Sequence, residues 1–260
     1  MSIFWFITTL LLLHFCTPGV GVVHSIVNGK VSIPHSHPYM VYIRDTQTHS
    51  ACGGFLVRED FVMTAAHCKK DNLRVYLGVD DTNRLPEGIE AVAIPHPDFA
   101  NKQGHDDIML LKLKTIATLN KNVKTIGLPK TKGEAIPSNC MAMGWGWKEY
   151  THTSPSNVLR EVNLTLIQNC DTSDLICTEG ESGPSQGDFG GPLICGNVPH
   201  GIGSYYINKG ATGIMMYSKI SHYLPWIHEI MNVHELWKSK LDAFNISDIR
   251  VCMIVKMSTP

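Results

Sequence analysis

Short runs of β-type residues, each closed off by turn residues, recur along most of this chain and limit its architecture more than any other feature. They include Tyr39-Met40-Val41-Tyr42-Ile43, Gly54-Phe55-Leu56-Val57, Arg74-Val75-Tyr76-Leu77, Ile108-Met109-Leu110-Leu111 and Asn163-Leu164-Thr165-Leu166. Strands so spaced predict an all-β antiparallel barrel or sandwich rather than βαβ units, which need a helix between successive strands. The 22 Gly and 14 Pro supply the turns, and the 17% charged residues fall below the roughly 25% usual for soluble domains. Both features argue against long helical repeats. A hydrophobic fraction of 43% excludes a disordered chain, and 260 residues suit one large domain. One helix is predicted, from Leu224 to Lys238, with Trp226, Ile230, His234 and Trp237 on one face. Residues 239–260 receive no predicted structure.

Residues 1–25 read as a signal peptide with a short propeptide. Ile3 to Phe15 is almost wholly apolar, shorter than a membrane span, and followed by the small residues Gly19, Gly21 and Ser25. No other stretch is long and apolar enough to span a bilayer. The expected location is therefore extracellular, with no membrane association after processing. Of eight cysteines Cys16 leaves with the leader, so seven remain, and an oxidising compartment would pair six. Spacing alone leaves the connectivity open. The 13 His are scattered, His35 and His37 lack a third ligand, and no metal or other cofactor is predicted. Asn163-Leu164-Thr165 and Asn245-Ile246-Ser247 are glycosylation acceptors in a secreted chain. With 22 Lys+Arg against 23 Asp+Glu, nothing favours a nucleic-acid partner.

Three segments carry chemistry: Thr64-Ala65-Ala66-His67-Cys68, Asp107-Ile108-Met109-Leu110-Leu111, and Gly187-Asp188-Phe189-Gly190-Gly191-Pro192. Ile26-Val27-Asn28-Gly29, Cys52-Gly53-Gly54 and Gly144-Trp145-Gly146 accompany them. Together they resemble the chymotrypsin-family serine proteases, and Pro34-His35-Ser36-His37-Pro38-Tyr39-Met40 is similar to the granzyme and mast-cell-protease branch. The resemblance runs from Ile26 to about His234 and implies a protease-like domain over residues 26–238. The implied fold is two six-stranded antiparallel β-barrels with a C-terminal helix.

The same resemblance assigns roles. His67 would be the general base and Asp107 its orienting carboxylate. Gly187 and residue 189 would form the oxyanion hole, and Asp188 would pair with a freed Ile26 amine. Gly183, Ser204, Tyr205 and Tyr206 would line the substrate cleft, with Ser204 also holding Asp107. The implied disulfides are Cys52–Cys68, Cys140–Cys195 and Cys170–Cys177, leaving Cys252 free or available for an intermolecular bridge in an otherwise monomeric protein. The family motif has Ser where this chain has Phe189, and a phenyl ring cannot attack a carbonyl. Gly183 gives a Lys or Arg substrate no counter-charge, and Tyr206 replaces a Gly on the substrate-binding strand. Val79 stands where calcium-binding relatives place a carboxylate, so Val79-Asp80-Asp81 is read as a solvated turn.

These residues leave two functional readings. The leading one is a secreted, catalytically inactive homologue that binds a protein or peptide. The other is an active serine endopeptidase in which the functional gene encodes Ser at 189, since Phe and Ser codons can differ by one base. A third possibility, the product of a null allele, predicts no binding. Balanced charge weakens the case for storage in secretory granules.

Overall fold

The computed structural model describes residues 26–99, 104–147, 154–167, 170, 173–209 and 212–243, with side chains to 233. The predicted signal peptide, Asn245 and Cys252 lie outside the described residues, as do the side chains of His234 and Trp237.

The first barrel contains β2 (Met40–Asp45), β3 (Ala51–Arg58), β4 (Phe61–Thr64), β5 (Leu73–Leu77), β6 (Ile89–Pro95) and β7 (Met109–Leu113), closed in the order β2-β3-β4-β7-β6-β5. All its pairings are antiparallel. Every strand glimpsed in the sequence is present with its ends moved by a few residues. Phe55, Leu56, Phe61, Val62, Met63, Leu110 and Leu111 are fully buried. Closure removes the exposed strand edges that would template aggregation.

The second barrel contains β8 (Asn139–Gly144), β9 (Arg160–Ile167), β10 (Leu175–Gly180), β11 (Pro192–Cys195), β12 (Val198–Asn208) and β13 (Gly213–Lys219). Its order is β9-β10-β13-β12-β11-β8, and the β8–β9 pairing closes the ring. A two-residue strand, β1 (Lys30–Val31), adds to the outside of β9 opposite Glu161 and Arg160. It ties the segment after Ile26 to this barrel. Glu161 strengthens the tie by accepting hydrogen bonds from Ser32 Oγ at 2.9 Å and contacting His37 Nε2 at 2.7 Å.

Helix α1 spans Leu224–Ala243, five residues beyond its predicted end. Its apolar face includes the predicted Trp226 and Ile230 and is wider than the predicted stripe. Leu224 and Ile227 are its most deeply buried side chains, with Trp226, Ile230 and Met231 beside them on the first-barrel core. Nothing at 239–243 stops a helix: Ser239-Lys240-Leu241-Asp242-Ala243 contains neither Gly nor Pro. Among the described residues, no helix is long and apolar enough to cross a membrane.

The three implied disulfides are all present: Cys52–Cys68, Cys140–Cys195 and Cys170–Cys177. The first joins β3 to the turn after β4. The second links β8 and β11 directly across their ladder.

Candidate active site

The seam between the barrels collects the three motif segments. β4 ends at Thr64, and a 3-10 turn over Ala66–Cys68 lifts His67 out of the first-barrel core. Asp107 lies just before β7, paired with β4 through Thr64↔Met109, so strand register brings the two residues together. His67 Nδ1 lies 2.7 Å from Asp107 Oδ2, while the His67 amide donates to Oδ1 at 2.9 Å. The carboxylate is 3% exposed and the imidazole 35%, so a buried anion orients a ring that reaches the cleft.

The second barrel supplies the rest of this seat. Gly203 pairs with Tyr217 and Tyr205 with Met216, which leaves Ser204 as the extra residue of a β-bulge. A bulge re-aims a side chain that would otherwise follow the pleat. Ser204 Oγ accordingly donates to Asp107 Oδ2 at 2.5 Å, and Ser218 Oγ donates to the Asp107 carbonyl at 2.9 Å. Burial pushes the Asp107 carboxyl upward. The His67 ring, Ser204 hydroxyl and His67 amide outweigh that effect and hold it below the usual carboxylate range. The role of Ser218 was not read from sequence; a lone Ser in Ile214-Met215-Met216-Tyr217-Ser218 was its only signal.

Phe189 enters from the β10–β11 connection. Its ring meets the His67 ring edge to face, with centroids 5.9 Å apart and planes at 77°. The Phe189 carbonyl accepts from Gly53 N at 2.8 Å, fixing the turn against β3. Gly190 makes the approach possible: its φ is +82°, and a Cβ there would stand 2.2 Å from Thr64 Oγ1. Gly187 lies on the same turn with φ +97°. A cavity of about 300 Å³ beside this turn is lined by Cys52, His67, Cys68, Lys70, Gly187 and Phe189 among others.

Asp188 is buried beneath the turn. It accepts from Gly146 N at 2.6 Å, Ser185 N at 3.0 Å and Ser185 Oγ at 3.3 Å. Burial nevertheless dominates and pushes its carboxyl up to about 7. Ile26 is also fully buried, and Val27 bridges Gly183 through bonds of 2.9 and 3.2 Å. With residues ahead of it the Ile26 nitrogen is an amide, so the implied charge pair could form only in a chain that begins at Ile26. Gly183, expected from the resemblance to line the substrate cleft, also anchors this N-terminal segment.

Two aromatics of β12 lie against neighbouring segments. A Cβ on Gly213 would lie 1.9 Å from Tyr206 Oη, placing that ring over the neighbouring strand. Tyr205 lies likewise against Gly104, where a Cβ would fall 1.9 Å from its Cε1. Asn163 is exposed on β9, open to a glycan. Cys52, His67 and Cys68 bring three ligand-type atoms within 4.8 Å, but two are disulfide sulfurs. In the Val79-Asp80-Asp81 loop, Asp80 Oδ1 accepts from His35 N and Asp81 Oδ1 from Asn83 N.

A protein-family model described as Trypsin matches residues 26–227. The chain belongs to the trypsin family. Within that family it is 38% identical to human granzyme H over 85% of this chain and 97% of that one. It is 36% identical to human cathepsin G over 87% of this chain and 95% of that one. The solved structure titled "Atomic resolution structure of HBP" superposes with a TM-score of 0.73 at 28% identity, covering 80% of this chain and 97% of its own. The protein is thus a granzyme-like serine protease homologue with the two-barrel trypsin fold.

Proposed function

We propose that this protein is a secreted, granzyme-like homologue that binds a protein or peptide at its cleft without cleaving it. The observation that carries the reading is Phe189, whose ring sits edge-on to His67 where the family mechanism needs a nucleophilic oxygen. His67 and Asp107 retain the geometry of a base and its orienting carboxylate. A base with no hydroxyl to deprotonate cannot start acyl transfer, and losing the Ser of such a triad costs about 10⁶-fold in turnover. The Tyr206 ring over Gly213 supports the same reading, because it fills space beside the substrate strand. In this reading Gly187 and residue 189 retain the oxyanion-hole position, and Asn163 carries a glycan.

A second reading rests on one observation. The His67–Asp107–Ser204 array is intact and would serve an active endopeptidase if residue 189 were Ser. Peptide-library hydrolysis by the processed chain beginning at Ile26, beside Phe189→Ser, separates the two. The binding reading expects no cleavage by the parent and cleavage by the variant. Turnover by the parent, with contaminating protease excluded, would overturn it.

A further inference from the structure

The substitution at 189 changes what the second nitrogen of His67 can do. In the trypsin-family mechanism Nε2 is engaged by the nucleophilic Ser, whereas a phenyl ring offers it no hydrogen-bonding atom. Here Nε2 lies 3.6 Å from Cys68 Sγ, half of the Cys52–Cys68 disulfide, and both cysteines line the 300 Å³ cavity beside Phe189. Cys52 is half-buried and Cys68 only 3% exposed. The two cysteines therefore differ: Cys52 is the more exposed residue, and the Cys68 sulfur sits against the imidazole. Lys70 lines the same cavity and gives it a positive charge.

We propose that the Cys52–Cys68 disulfide is a thiol-exchange site for small anionic thiols of the glutathione class, with His67 as its acid catalyst. The incoming thiolate attacks Cys52 Sγ and forms a mixed disulfide. The Cys52–Cys68 bond breaks, its electron pair goes to Cys68 Sγ, and the His67 imidazolium gives that sulfur its Nε2 proton. Stabilising the leaving thiolate in this way speeds exchange. A second thiol resolves the mixed disulfide. Two small thiols are oxidised to one disulfide while Cys52 and Cys68 are reduced, and the protons released by the incoming thiols balance those taken up by the cysteines. Asp107, bonded to Nδ1, is a positioning residue that holds Nε2 toward the Cys68 sulfur. Reduction would free the turn carrying His67 from β3, so the cleft's shape would follow the thiol balance outside the cell.

The test incubates the oxidised, processed protein with reduced glutathione, traps free thiols with iodoacetamide, and follows each disulfide by peptide mass spectrometry. Cys140–Cys195, buried across β8 and β11, is the reference within the same molecule. Cys52–Cys68 is expected to open about tenfold faster or more, and His67→Gln to remove most of that advantage. A variant that had unfolded would instead accelerate Cys140–Cys195. Should that occur, Asp107→Asn decides, with a smaller slowing expected at Cys52–Cys68 alone. The proposal is overturned if the parent opens both bridges at similar rates. It is equally overturned if a folded His67→Gln, or Asp107→Asn where that variant decides, leaves the Cys52–Cys68 rate unchanged.

Discussion

A chain that begins at Ile26 and one that keeps His24-Ser25 ahead of it should differ in how stability changes with pH, in a way that Asp188 alone dictates. In the untrimmed chain Asp188 is 1% exposed, and burial holds its carboxyl at about 7 rather than 3.8. At about 1.36 kcal/mol per pH unit, ionising it in place costs roughly 4 kcal/mol. Because the folded-state value is raised, stability is intact below about pH 4, and up to that amount is lost as pH rises through about 7. Trimming exposes an ammonium at Ile26, already buried in the same barrel, and pairing with it would let Asp188 ionise without that loss. A chain starting at Ile26 should therefore exceed one starting at His24 by up to roughly 4 kcal/mol at pH 8, and by little at pH 4. At about 2–4 °C per kcal/mol for a domain of this size, the gap in Tm approaches 8–16 °C. Urea denaturation of the matched pair from pH 4 to 8 measures it, and Asp188→Asn should abolish the pH dependence of the gap. Parallel stability curves, or a pH-dependent gap that survives Asp188→Asn, would refute the reasoning.

Two further substitutions probe the seam. Ser204→Ala removes the hydroxyl on the buried Asp107 carboxylate and should cost about 1–3 kcal/mol at neutral pH. Asp107 is held below the usual carboxylate range, so this cost should shrink as falling pH protonates it, which urea titration at two pH values would reveal. Gly190→Ala meets both a φ of +82° and Thr64 Oγ1 at 2.2 Å and should lose roughly 3 kcal/mol or more by thermal denaturation. Gly127→Ala, with nothing within 4 Å of its added Cβ, is the matched control and should be close to neutral.

Much of the fold was legible because barrel strands announce themselves locally. Runs such as Ile108 to Leu111 pair apolar content with nearby turns, and the structure extends them by only a few residues. Helix α1 was found but ended too early, since periodicity fades before the backbone has any reason to stop. β1 escaped notice because two residues carry no period, and its existence depends on Glu161 and Arg160 far along the chain. The placement of His67 beside Asp107 followed from motif order. Ser218 and the bulge at Ser204 could not be read that way, because one depends on how β13 meets the first barrel and the other on a register shift between β12 and β13. Tyr206 stands out in the sequence because it replaces a Gly, but its position over Gly213 is a cross-strand relation that no linear pattern encodes.

The seating of Asp107 has an evolutionary consequence. Its carboxylate and carbonyl accept hydrogen bonds from Ser204 and Ser218 of the second barrel, while His67 grips it from the first. Asp107 is thus a fastener between the two halves of the molecule, whatever chemistry occurs above it. Losing the nucleophile does nothing to relax that mechanical duty. A lineage can abandon peptide cleavage and still be held, by stability alone, to the His, Asp and supporting Ser it inherited. Finding those three in a family member therefore testifies to an intact hinge line, and residue 189 must be consulted separately before any turnover is inferred.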